Sequence, residues 1–341
     1  MKAMTRIWFS FLALTFTAPL LAQDGADGQF DAGAVEALKG LQLLDQRLNA
    51  IGYRLVDANA PYCDQKAPRT GFFLNDIAQY ADQETARYAL GFDDMIGITA
   101  VAADSPADSA KLMPGDTIQA INNMSIDEIS MDDPQLASEP PVYRRIAAIN
   151  RMMEQALAKR GAQLTVSRRG VSRTVLIEPV ITCPGKFQIR VSADRSATAD
   201  GEMVSITSRL AEYFLDDDEF AAVAAHELAH NLLKHNDRLN AQKVNRGFFG
   251  QFGKSASRIK TAEIEADRLS VWLMANAGYD PDAAIRFWTR YGKEHGKGIF
   301  SASTHYRWKK RVKLFEEEIA IMATIERVDG KLPPPLLTSQ D

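Results

Sequence analysis

The five residues His226-Glu227-Leu228-Ala229-His230 restrict what this chain can fold into more than any other stretch. The apolar positions around them, Phe220, Val223, Ala224 and Leu228, recur at helical spacing. Asp216 stands where an N-cap would, and Glu219 three residues later completes a capping box. At about 100° per residue, a helix puts the two histidines about 40° apart, one turn from each other on one face. Two imidazoles so placed can reach one Zn2+, while Glu227 reaches a water on that ion. The plainer alternative is a surface helix with two unrelated histidines.

A metal site needs a further ligand. A histidine ten residues after the first, with glycine three before it, would define one class of such centres. Asn236 and Leu233 hold those positions, so that class is excluded. His235 is close, but a continuing helix points it about 180° from His226, which gives it a non-ligand role. Thr261 to Asn276 reads as a second helix, ended by Gly278, with Asp280 capping the next one and Pro281 at its first position. Glu263 and Asp267 share one face of it, whereas Glu265 lies about 200° from Glu263. Glu263 would complete a His2Glu site for one Zn2+ per chain, with a position left open for water. Asp267 would accept a hydrogen bond from an imidazole N–H behind the metal. A solvated acidic helix face is the alternative for these carboxylates.

The chain has 341 residues, 46% hydrophobic and 25% charged, which fits a globular protein of about two domains. Lys plus Arg is 40 against 44 Asp plus Glu, a net charge of −4, so no nucleic-acid partner is expected. Lys2 and Arg6 precede an apolar run from Ile7 to Leu21, with Ala22 at a cleavage point. Residues 1–22 are therefore expected to be a signal peptide, and the mature chain an exported, periplasmic one without a membrane span. A retained N-terminal anchor is the alternative. In an oxidising compartment Cys63 and Cys183 can form a disulfide. Closing so long a loop is worth up to about 5 kcal/mol in chain entropy.

Asp31 to Ala58 repeats apolar residues every three or four positions, from Val35 through Leu38, Leu41, Leu44 and Leu48 to Ile51, and reads as a helix. Residues 59–85 read as irregular. From about residue 86 the character changes. Strands are expected at Ile96–Val101 and Thr117–Ile121, then a tight reversal at Asn122-Asn123. A helix from about Pro141 to Lys159 precedes a hairpin turning at Gly170. Ser105-Pro106-Ala107, Leu112, Pro114-Gly115-Asp116, Ile118 and Asn122 resemble the most recognisable stretch of bacterial PDZ domains, with Asn123 where that family often has glycine. The resemblance implies peptide binding by strand addition, with substrate C-termini as ligands and Leu90-Gly91-Phe92 as a candidate carboxylate loop. A spacer that binds nothing is the alternative.

HExxH followed by Glu263 and Asp267 resembles the gluzincin family that includes the CAAX prenyl protease and the heat-shock protease HtpX. The resemblance runs from about Ser192 to Arg311. Ser196-Ala197-Thr198-Ala199-Asp200-Gly201 is similar to the family's Asn-Ala segment, with Ser196 departing from Asn. The resemblance implies that Met203, Val204, Ser205 and Ile206 form an edge strand aligning extended substrate. It also implies that His305 and Arg311 match a Thr-His-Pro element with an Arg six residues on, Tyr306 replacing the Pro. His305 would then gate or assist catalysis, and Arg311 would stabilise an oxyanion or position substrate. The family's integral-membrane members carry spans that are absent here, so the soluble exported type fits better.

The expected fold class is α+β: a mostly helical zincin-type protease domain with a small sheet, preceded by a PDZ-like β-rich domain. The expected organisation is a signal peptide (1–22), an N-terminal helical segment (23–85), a PDZ-like domain (86–181), the metalloprotease domain (182–328) and a disordered tail (329–341). The implied activity is zinc-dependent cleavage of proteins or peptides in envelope quality control. The alternative is a non-enzymatic PDZ adaptor or chaperone-like protein on a protease scaffold.

Overall fold

In the computed structural model, the residues described are 30–159, 161–244, 253–295 and 307–338. The expected signal peptide lies outside them, as does His305. Asp31 caps α1 (Ala32–Ala58), its Oδ1 accepting the Ala34 N–H at 2.7 Å. One face of α1 carries Leu48, Ile51, Leu55 and Val56 into the core that also holds the HExxH helix.

The chain leaves that core near Cys63 and returns at Cys183. Between these points it builds a second unit on a stem of two antiparallel strands, β1 (Ala67–Arg69) and β8. In chain order the unit contains β2 (Phe72–Asp76), α2 (Gln83–Leu90), β3 (Ile96–Val101), α3 (Pro106–Ser109), β4 (Thr117–Ile121), β5 (Met124–Ser125), α4 (Pro141–Lys159), β6 (Ala162–Arg168), β7 (Val171–Ile177) and β8 (Val180–Thr182). The Cys63–Cys183 disulfide closes the base of the stem, with Cα atoms 5.5 Å apart.

The sheet runs β2-β3-β4-β6-β7, with β5 paired to β4. Ile146, Ile149, Met153 and Leu157 of α4 pack with Ile98, Ile118 and Leu164 in a core of its own. Asn122 (φ 50°) and Asn123 (φ 66°) both take the left-handed conformation between β4 and β5. Asparagine tolerates it, which explains why glycine is not needed at 123. The sheet begins at Phe72, within the stretch that reads as irregular, because Pro68 and Gly71 mask the short apolar run Phe72-Phe73-Leu74.

The remaining elements are β9 (Lys186–Arg190), β10 (Ala197–Ala199), β11 (Met203–Thr207), α5 (Ser208–Ala211), α6 (Asp217–Leu232), α7 (His235–Ala241), α8 (Gly253–Asn276), α9 (Asp282–His295), α10 (Trp308–Met322) and α11 (Pro335–Thr338). The three strands are ordered β10-β11-β9. Met203, Val204, Ser205 and Ile206 therefore lie in the middle strand, not at an edge. The turn at Gly201 (φ +114°) folds β10 back along β11, and β9 pairs parallel on its other side. The outer strands are β10 and β9, and the Ile189 N–H of β9 donates to Asp45 of α1 at 3.3 Å.

The segment after α10 also differs from expectation. Residues 329–338 dock on α8 instead of trailing away. The Leu332 N–H donates to Asn276 Oδ1 at 2.7 Å, Asn276 Nδ2 donates to the Leu332 carbonyl at 2.9 Å, and Leu332 and Leu337 are buried. Their apolar side chains supply the burial that the proline run alone does not suggest. Residues 339–341 lie outside the described set. No described helix is long and apolar enough to cross a membrane. The α+β class stands, as does a PDZ-like unit ahead of the HExxH helix.

Candidate metal centre

Asp216 Oδ1 accepts the Glu219 N–H at 2.8 Å and starts α6. Glu219 reaches back to the Leu215 N–H at 3.1 Å, one residue before the cap, and is also paired with Arg290. Ala221, Ala222, Ala224 and Ala225 are buried along this helix. Small side chains at these positions let α8 pack closely against it, so that α8 presents its acids to the histidines.

His226 Nε2 and His230 Nε2 lie 3.1 Å apart. Glu263 Oε2 is 3.6 Å from the first, and Glu263 Oε1 is 3.6 Å from the second. Bonds of about 2.0–2.1 Å to a tetrahedral zinc place ligand atoms about 3.4 Å apart, close to the separation of the two imidazole nitrogens, and each nitrogen faces one of the Glu263 oxygens. Each residue offers a ligand atom within 4.8 Å of the others, so the three could hold one metal ion. Glu227 is buried beside them on α6.

Behind His226, Asp267 Oδ1 accepts from Nδ1 at 2.9 Å. Burial works against charge on both ligand rings. At His226 the hydrogen bonds to Asp267 and Glu263 outweigh it and hold the ring's pKa above its usual value. At His230 burial and the neighbouring charge of His226 press it down. Burial would raise Asp267, but the Arg311 guanidinium and His226 keep it below the usual carboxylate range.

Arg311 is 2% exposed. Its guanidinium donates to Asp267 and lies 3.6 Å over the Trp288 ring. Nη2 is also 3.2 Å from His226 Nδ1. This seat is on the Nδ1 side of the ring, away from the Nε2 that faces the metal position. Arg311 thus braces Asp267 behind His226; the resemblance implies oxyanion stabilisation or substrate positioning for this residue.

His235 is placed differently from the reading of one continuous helix. α6 ends at Leu232, Lys234 takes a left-handed conformation (φ 52°), and α7 starts at His235. The break returns the imidazole to His230, with the two Nδ1 atoms 2.8 Å apart. His235 Nε2 is 2.9 Å from Glu265 Oε2, to which Arg238 Nη1 also donates at 2.7 Å. The hydrogen bond from His235 is the main force holding Glu265 low, at about 2; burial opposes it and Arg238 assists. Sequence reasoning missed Glu265, because helical angles set it away from Glu263 and only the turn at Lys234 gives it a partner.

Leu90-Gly91-Phe92 is not a free anion loop. Gly91 (φ +69°) caps α2, its N–H donating to Tyr88 O at 3.2 Å, and the Phe92 N–H donates to Arg87 O at 3.0 Å. Among the described strands, β2 is an outer strand of the larger sheet and has α4 beside it.

Two segments of the chain match known families. Residues 196–259 match the family model of Peptidase family M48. Residues 76–144 match that of the PDZ domain. The mitochondrial metalloendopeptidase OMA1 of Schizosaccharomyces pombe is 29% identical over 156 residues, 39% of this chain. The chain spans 46% of that protein's length. An M48-type peptidase segment and a PDZ segment are thus joined in one chain.

Proposed function

We propose that this chain is a zinc-dependent endopeptidase that cleaves protein substrates after export, in periplasmic envelope quality control. The observation that carries the reading is the His226–His230–Glu263 cluster with Glu227 on the same helix. The cleaved N-terminal signal rests on Lys2, Arg6 and the apolar run after them. The Cys63–Cys183 bond agrees with an oxidising compartment.

His226, His230 and Glu263 would hold the ion. Bound there, zinc would supply Lewis-acid chemistry, making water more acidic, toward a pKa of about 7, and polarising the scissile carbonyl. Glu227 takes the proton of the attacking water and returns it to the leaving amine nitrogen. Asp267, backed by Arg311, holds His226 in the tautomer that leaves Nε2 free to ligate. An extended substrate adds to the outer side of β10, which is unpaired among the described strands and lies beside α6. The PDZ-like unit recruits or regulates, taking a peptide C-terminus along β2 beside α4.

Glu227→Gln tests the reading. The variant should retain about one zinc per chain and lose digestion of casein by roughly a hundredfold or more. Digestion at the wild-type rate would refute it.

A further inference from the structure

We infer that His235 and Glu265 are positioning residues for His230, a second support acting alongside Asp267 and His226. The inference rests on the metal reading above and concerns residues outside the ligand set.

The tautomers follow from the distances. A ligating His230 needs its lone pair on Nε2, the atom 3.1 Å from His226 Nε2. Its proton then sits on Nδ1. That atom is 2.8 Å from His235 Nδ1, so His235 must accept there and carry its own proton on Nε2. Nε2 in turn donates to Glu265 Oε2 at 2.9 Å, and Arg238 Nη1 donates to the same oxygen at 2.7 Å. Every link has one donor and one acceptor, in the order His230, His235, Glu265. A different tautomer at any link would set two protons or two lone pairs against each other.

The arrangement at His226 is parallel but shorter. There Asp267 bonds the ligand directly, and Arg311 bonds Asp267. At His230 an imidazole stands between ligand and carboxylate. His235 is only 2% exposed, and a buried ring with unused nitrogens would be costly. Both of its nitrogens are used, and the left-handed Lys234 is what allows it. Outer hydrogen bonds of this kind orient a ligand ring and raise its basicity toward a metal.

The test uses the full purified chain. His235→Leu removes both ring nitrogens. Glu265→Gln keeps an acceptor for His235 but removes the charge. Zinc affinity is measured against a chromophoric chelator, the Co2+ form by its visible spectrum, and the metal-free fold by its melting temperature. We expect His235→Leu to melt near wild type without metal, to bind zinc 10–100-fold more weakly, and to shift the Co2+ bands. Glu265→Gln should weaken binding by less. Wild-type zinc affinity and an unchanged Co2+ spectrum in both variants would overturn the inference. If His235→Leu does not fold, Glu265→Gln decides alone, and wild-type affinity there overturns it. A wild-type chain that binds zinc no more tightly than His226→Ala would instead overturn the metal reading itself.

Discussion

Asp267 Oδ1 lies 2.9 Å from His226 Nδ1 and joins the His226–His230–Glu263 cluster to the buried end of α10, because the same oxygen accepts from Arg311. The carboxylate therefore has two tasks. It orients the His226 ring and it balances a guanidinium that water barely reaches. Asp267→Ala should destabilise the metal-free chain by about 3–5 kcal/mol, the usual cost of removing one partner of a buried ion pair. Arg311→Met in the same chain should recover part of that loss. Denaturant unfolding of the two single variants and the double variant measures the coupling, and strict additivity would deny it.

Cys63 and Cys183 tie the two strands of the stem together at its base. Replacing both with serine should cost about 2–5 kcal/mol in reversible unfolding. Limited proteolysis should then cut first near the stem at residues 64–69 or 180–182. A variant as stable as wild type, with unchanged cleavage sites, would mean that β1 and β8 hold the base without the bond.

What the sequence discloses about this fold is local. The HExxH helix, its cap at Asp216, the helix at 141–159 and the hairpin at Gly170 each repeat a short-range pattern, and each forms as expected. Two features escape because they depend on distant chain. β11 becomes a middle strand only when β9 arrives alongside it from before the turn. Leu332 and Leu337 order the proline-rich segment only because Asn276 and the core receive them. His235 escapes for a third reason, since a single left-handed residue at 234 redirects it.

Gly71 is a sharp test of the PDZ-like unit. Its φ is +83°, and an added Cβ would lie 2.2 Å from Cβ of Ser105, the N-cap of α3. Its carbonyl is already held by the Ala102 N–H at 2.8 Å and Asn49 Nδ2 at 2.9 Å, so the loop has little room to move. Gly71→Ala should cost about 2–4 kcal/mol from strain and overpacking. Gly170→Ala is the control. It has φ +74° but nothing within 4 Å of the added atom, and should cost about 1 kcal/mol. Equal losses would show that the clash is relieved.

Asp45 supplies a pH dependence that involves none of His226, His230 and Glu263. It is buried on α1, where burial pushes its carboxyl up to about 7 from 3.8, against the Ile189 N–H that favours the charged form. Between pH 3.8 and about 7 the folded chain therefore binds more protons at this site than the unfolded chain. Stability from this group is greatest at low pH and falls as pH rises through that window. Asn at 45 keeps an oxygen for the Ile189 N–H and cannot ionise. Asp45→Asn should match wild type near pH 4 and exceed it at pH 8 by an amount on the order of 2–4 kcal/mol. Urea unfolding at the two pH values reads the difference. A gap between variant and wild type that is the same at both would mean that Asp45 ionises in the folded chain as readily as in the unfolded one.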